Sequence, residues 1–221
     1  MGAFFTPRAN LLARGAPVAG VLLLGLVGFV WYGWVNSPYG TRVGYYVWQP
    51  VPFSHAHHVG DDGIDCRYCH ATAEVSSFAG MPSTETCMHC HSQLWTNAEM
   101  LAPVRESWRT DVPLVWNRVH DLADFVFFNH AVHVNNGVGC VTCHGRVDRM
   151  PLITKSKSLY MEWCLECHRN PAPYLRPRDQ IYSLTWEPPE DHAALAAQLM
   201  REYEIDAVRG AALTNCSACH R

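Results

Sequence analysis

One five-residue pattern, C-x-x-C-H, constrains this chain more than anything else. It occurs as CRYCH (66–70), CMHCH (87–91), CVTCH (140–144), CLECH (164–168) and CSACH (216–220), and it uses all 10 cysteines of the 221 residues. Two thiols separated by two residues reach the same edge of one porphyrin and add to its two vinyl groups, and the adjacent histidine then faces the iron. Zinc knuckles also use C-x-x-C, but they pair one knuckle with another and need no histidine beside each. A redox dithiol occurs once, in a βαβ setting, not five times.

The sequence therefore predicts five covalently bound haems c. Cys66, Cys69, Cys87, Cys90, Cys140, Cys143, Cys164, Cys167, Cys216 and Cys219 carry the thioethers. His70, His91, His144, His168 and His220 are the proximal iron ligands. The net charge of −3 and the lack of a basic run argue against nucleic acid as a partner.

Self-alignment reveals a duplication. FSHAHH (53–58) precedes the first two motifs and FNHAVH (128–133) the next two, at offsets of 75 and 77 residues; the fifth motif is appended. A low-spin electron-transfer haem needs a second axial ligand. His55 and His58, like His130 and His133, stand three apart, which on a helix puts both on one face. These four are the expected distal ligands. For the fifth haem His120 competes with Met150, Met161 and Met200, since imidazole and thioether are both standard ligands of c-type haem. His57, His89 and His192 are expected not to bind iron.

Residues 17–35, PVAGVLLLGLVGFVWYGWV, carry no charge. Nineteen residues in α-helix span about 28 Å, enough to cross a bilayer core. Arg8 and Arg14 lie before the stretch and Trp31, Tyr32 and Trp34 at its end, which orients the N-terminus to the cytoplasm. A cleaved signal peptide is the alternative, with a shorter apolar core and a small-residue cleavage site. The expected division is 1–36, cytoplasmic N-terminus and transmembrane anchor in membrane lipid, and 37–221, an exported haem domain. That domain holds modules at about 53–91 and 128–168 and a fifth haem at 216–220.

With 185 residues for five haems, the porphyrins themselves are expected to fill the core. The fold class is mainly α with much irregular structure: one transmembrane helix and duplicated multihaem modules of the class III or c7 kind. A helix is expected over about 188–207, with Leu195, Leu199 and Tyr203 as an apolar stripe for a haem or a partner. Residues 92–127 are too rich in Trp and Val for a flexible linker. The fifth haem is expected at an edge of the domain.

The runs PVPFSHAHHVGDDGIDCRYCH, GMPSTETCMHCH, VHDLADFVFFNHAVHVNNGVGCVTCHG and LYMEWCLECHRNP resemble the membrane-anchored pentahaem cytochrome subunit of alternative complex III. The resemblance covers most of 37–170 and the N-terminal anchor. It implies an electron-carrier subunit, not itself an enzyme, of a quinol-oxidising respiratory or photosynthetic complex in the bacterial cytoplasmic membrane, with its haems on the periplasmic side. The implied partners are a multi-span quinol-binding subunit, an iron–sulfur subunit resembling molybdopterin oxidoreductases, a monohaem cytochrome c, and a soluble acceptor or terminal oxidase. Three other readings stay open. A membrane-anchored quinol dehydrogenase of nitrate or nitrite reduction would have four haems. A multihaem nitrite reductase would have an open iron, often marked by lysine in place of the motif histidine. The last is a haem scaffold without redox function.

Overall fold

In the computed structural model, residues 6–205, 210 and 212–220 are described. The chain divides into two compact units, Met1–Val43 and Gly44–Arg221.

The first unit is built on α1, Pro7–Asn36. Thr6 caps it by accepting from the Ala9 amide (3.3 Å), and Pro7 occupies the first position, where a missing N–H costs nothing. At 30 residues the helix is about 45 Å long, and its most apolar stretch has a mean hydropathy of 2.0. None of its residues is buried. It also extends ten residues further towards the N-terminus than the uncharged stretch marks. A short turn, α2 (Pro38–Thr41), follows.

The second unit is helical, and among its described residues there is no strand. Isolated β-bridges join Tyr46 to Thr154, Val126 to His220 and Val138 to Leu175. Each haem motif forms one helical turn. In α3 (Cys66–Cys69), α7 (Cys140–His144) and α10 (Cys216–Cys219) the first cysteine opens the turn. In α4 (Thr84–His91) and α8 (Met161–Arg169) the motif is the last turn of a longer helix. Asp65 and Asn215 cap their turns through the Arg67 and Ser217 amides, at 2.8 and 3.1 Å. In such a turn positions i, i+3 and i+4 share a face, which explains the invariant spacing. The His70 amide closes the turn on the Cys66 carbonyl, and that of His220 on Cys216.

The peptide core is small. Among the described residues ten hydrophobic side chains are buried, too few to hold this unit by themselves. They include two clusters. Val51, Leu101 and Val104 gather Cys87, Met88, Leu114 and Trp116 around them. The 92–127 segment therefore packs back on the second motif through α5, Ala102–Thr110. Leu175, Leu199 and Tyr203 form the other cluster. Leu199 belongs to α9, His192–Glu202, capped by Asp191. That helix is shorter than the sequence suggested: prolines 188 and 189 stay outside it, the chain turns at Tyr203, and residues 206 and 207 lie outside the described ones. Its stripe meets Leu175, not an external surface.

Candidate haem sites

The two histidine-bearing repeats fold differently. Ala56–Asp61 is a π-helical turn, with the Asp62 amide reaching back to the His57 carbonyl. Single π turns of this sort recur at functional sites. Gly60 in this turn lies so close to the Asp148 carbonyl that a Cβ would collide with it. In the second repeat α6, His130–Asn135, is a regular α turn capped by Asn129 through the Val132 amide (3.3 Å).

Most of the expected ligands share one hydrogen-bond signature. His70 Nδ1 faces the Gly80 carbonyl at 2.8 Å, His91 that of Leu94 at 3.2 Å, His168 that of Leu213 at 2.9 Å and His220 that of Phe125 at 3.3 Å. Among the distal set, His58 faces Ser54 at 2.9 Å, His130 faces Ser77 at 3.0 Å and His133 faces Asn129 at 2.8 Å. A carbonyl oxygen only accepts, so each Nδ1 carries the proton and donates. Each Nε2 lone pair is thereby left for a metal.

The rings pair. His58 and His91 have centroids 6.2 Å apart, His130 and His144 6.4 Å, and His133 and His168 6.0 Å. A metal–nitrogen bond of about 2.0 Å plus roughly 1.1 Å from nitrogen to ring centre, taken twice, gives about 6.2 Å across one iron. The three pairs therefore fit one iron each. Phe53 stacks on His58 (4.4 Å) and meets His55 edge-on (4.9 Å); Phe128 does the same for His133 (4.5 Å) and His130 (4.7 Å). This gives the repeated phenylalanine its role: one ring holds both imidazoles of its module.

Burial reinforces the ligand form. It lowers His144 to about 3 and His55 and His120 to about 4, with the neighbouring imidazoles and, for His120, Lys155 as lesser causes. It lowers His133 as well. Buried imidazoles thus stay neutral, with a free lone pair. His55 Nδ1 is buried without a hydrogen-bond partner, and His70 is among the imidazoles close to its ring.

His120, expected as a ligand for the fifth motif, is placed against the third: its ring centroid is 4.3 Å from that of His144. Its buried Nε2 has no partner. The ring beside His220 is that of Phe125, at 5.7 Å. Of the methionines, Met161 is exposed on α8, Met200 packs on the Leu175–Leu199–Tyr203 cluster, and Met150 approaches Thr154. His192, set aside on sequence grounds, also buries an unpartnered Nε2. It lines an apolar cavity of about 590 Å³ with Ala172, Pro173 and Met200. No sequence signal marks it, because it stands alone at the start of α9.

His57 instead pairs with Asp61 and Asp62 (3.5 Å each) and stacks on Trp95, while His89 bonds the Tyr68 hydroxyl at 2.8 Å. All ten cysteines are free thiols. Among the described residues no three His, Cys, Asp or Glu side chains converge on a point.

No family model matches the chain. A curated relative does: the multihaem cytochrome c subunit of menaquinone reductase from Nitratidesulfovibrio vulgaris strain Hildenborough. It is 34% identical over 176 residues, covering 69% of this chain and 81% of that protein.

Proposed function

The chain belongs to the family of that multihaem cytochrome c subunit, and on that premise we propose that it carries five haems c and relays electrons between a membrane quinol site and a downstream periplasmic acceptor. The observation that carries the proposal is the set of three histidine pairs at 6.0–6.4 Å, with Nδ1 tied to a carbonyl in all but His144.

Haem c supplies a reversible one-electron iron couple. The residues of this chain do the rest. Paired cysteines would fix each porphyrin by two covalent bonds. Carbonyl-anchored imidazoles in pairs would hold each iron through Nε2, and an iron held by two imidazoles would have no place for a substrate. Burial and the anchoring bonds tune the potential of each site. His70 with His55 completes a fourth pair in this reading. The fifth site would take its second ligand from Met150, Met161, Met200 or His192, because His120 stands against His144.

The unit built on α1 anchors the protein in the cytoplasmic membrane as a single span, with the haem unit on the periplasmic side. An isolated span has no helix of its own to pack on, and the relative is a subunit by name. The chain is therefore read as an electron-carrier subunit, not an enzyme by itself. Its partners are a multi-span quinol-binding subunit, an iron–sulfur subunit of the molybdopterin-oxidoreductase kind and a monohaem cytochrome c, in an assembly of the alternative complex III type. A second direction of flow, towards quinone, is favoured by one fact: the relative is named a menaquinone reductase.

Denaturation in acid–acetone followed by mass measurement tests the haem count. Pigment retained at five porphyrins per chain supports it, and pigment washed away or a smaller increment refutes it. Potentials measured in the intact complex decide the direction: haems above the quinone couple drain quinol, and haems below it feed quinone.

A further inference from the structure

Sequence order and spatial order differ among the five motifs. The second lies beside the first, because Tyr68 of CRYCH bonds His89 of CMHCH at 2.8 Å. The first lies beside the third. The Arg67 guanidinium sits 4.6 Å above the Tyr182 ring, and the carbonyl of the preceding Ile181 accepts from the Cys140 amide. His130, whose ring faces His144, is anchored by both its amide and its Nδ1 to Ser77, in the loop after the first motif. The third lies beside the fourth, since His130 and His133 on one turn face His144 and His168. The fourth lies beside the fifth: His168 Nδ1 bonds the carbonyl of Leu213, three residues before Cys216.

From these contacts we infer that the motifs form a single file in the order second, first, third, fourth, fifth, so that the second and fifth are the two ports where electrons enter and leave. Exposure of the thiols is an independent observation in the same direction. Of the ten cysteines, only Cys90 of the second motif and Cys216 of the fifth are exposed. The second port is flanked by exposed Leu94 and Trp95, the fifth by exposed Phe125 and Phe127.

The inference rests on the five-haem reading, and its test is separable from that reading. One electron per molecule is delivered to the oxidised holoprotein by pulse radiolysis, and its redistribution is followed by absorbance. Each hop oxidises one iron as its neighbour is reduced. Removing an end (Cys216→Ala/Cys219→Ala or Cys87→Ala/Cys90→Ala) is expected to leave the other four sites in rapid exchange. Removing the centre (Cys140→Ala/Cys143→Ala) is expected to abolish rapid exchange between the second–first pair and the fourth–fifth pair. An end deletion that divides the remainder, or a central deletion that leaves all four connected, overturns the order.

If the central variant does not mature, His58→Met and His133→Met mark the second and fourth irons by an altered ligand field while keeping every thioether. Pulsed electron paramagnetic resonance then counts neighbours: one for the second iron, two for the fourth. Two for the second overturns the order. Fewer than five porphyrins by mass sinks the haem count instead; five porphyrins with another connectivity sinks only the order.

Discussion

Gly137 lies between the distal-histidine helix α6 and the third haem motif, and Gly137→Ala is expected to be among the most damaging small substitutions in the chain. Its φ is +83°, the left-handed region. A Cβ there would lie 2.8 Å from Tyr203 Cζ, closer still to Cε2, and 3.0 Å from the Arg176 carbonyl oxygen. Neither neighbour is free to yield. Tyr203 is buried in the cluster with Leu175 and Leu199 and donates its hydroxyl to that same carbonyl at 2.7 Å; the Arg176 amide donates to the Gly137 carbonyl at 2.8 Å.

Three costs combine. A left-handed conformation costs a residue with a Cβ roughly 1–2 kcal/mol. Overpacking a filled site costs about 1–3 kcal/mol. Losing the tyrosine hydrogen bond costs about 0.5–1.5 kcal/mol. The sum is on the order of 3–6 kcal/mol. With a urea slope of about 2–3 kcal/mol/M, the midpoint falls by at least about 1 M, read from the haem Soret band and from backbone circular dichroism. Gly137→Ala/Tyr203→Leu removes the ring that the new methyl meets and is expected to be less destabilised than the two single changes added together. A Gly137→Ala protein within about 0.5 kcal/mol of the parent, the usual range for a neutral surface change, would refute this account of the junction.

Other changes test other parts. His58→Ala leaves His91 without its partner and is expected to convert one haem to high spin, seen by electron paramagnetic resonance; five low-spin haems would contradict the pairing. Arg146 bonds Asp148 at 2.8 and 2.5 Å and holds its carboxyl below the usual range. A depressed carboxyl contributes stability that is present above the ordinary value of about 3.9 and is lost as pH falls through the folded value. Asp148→Asn is therefore expected to lower stability at pH 7, to converge on the parent once pH has fallen through the folded value of Asp148, and to flatten the acid limb of a denaturation–pH profile. Deleting residues 1–36 is expected to move the haem protein from the membrane fraction to the soluble one on ultracentrifugation; retention in the membrane fraction would mean that another element holds it there. Leu199→Ala, at a site 2% exposed, is expected to cost about 2–5 kcal/mol by urea denaturation.

The cysteine–histidine motifs are local chemistry. Two thiols and an imidazole at i, i+3 and i+4 share a helical face wherever the turn forms, so the five motif turns were legible from residue spacing alone. The duplicated F-x-H-x-x-H was legible for the same reason, since one phenylalanine contacts two imidazoles on its own turn. A long uncharged run also declares its helix without help from the rest of the chain. Spacing failed where partners are distant. The sequence offered His120 to the fifth motif, and the fold sets it against His144; His192 gave no signal, and it buries an Nε2 that has no hydrogen-bond partner. The Leu195–Leu199–Tyr203 stripe was visible, but its counterpart Leu175 was not.

The helical turn of each motif, and the thiols and imidazole it brings to one face, were thus determined by the sequence, because each depends on neighbours a few bonds away. Which imidazole faces which, and which motif stands next to which, was decided only by the tertiary structure. Those relations run through single contacts between segments far apart in the chain, such as Tyr68 with His89, His130 with Ser77 and His168 with Leu213, and no periodicity encodes them.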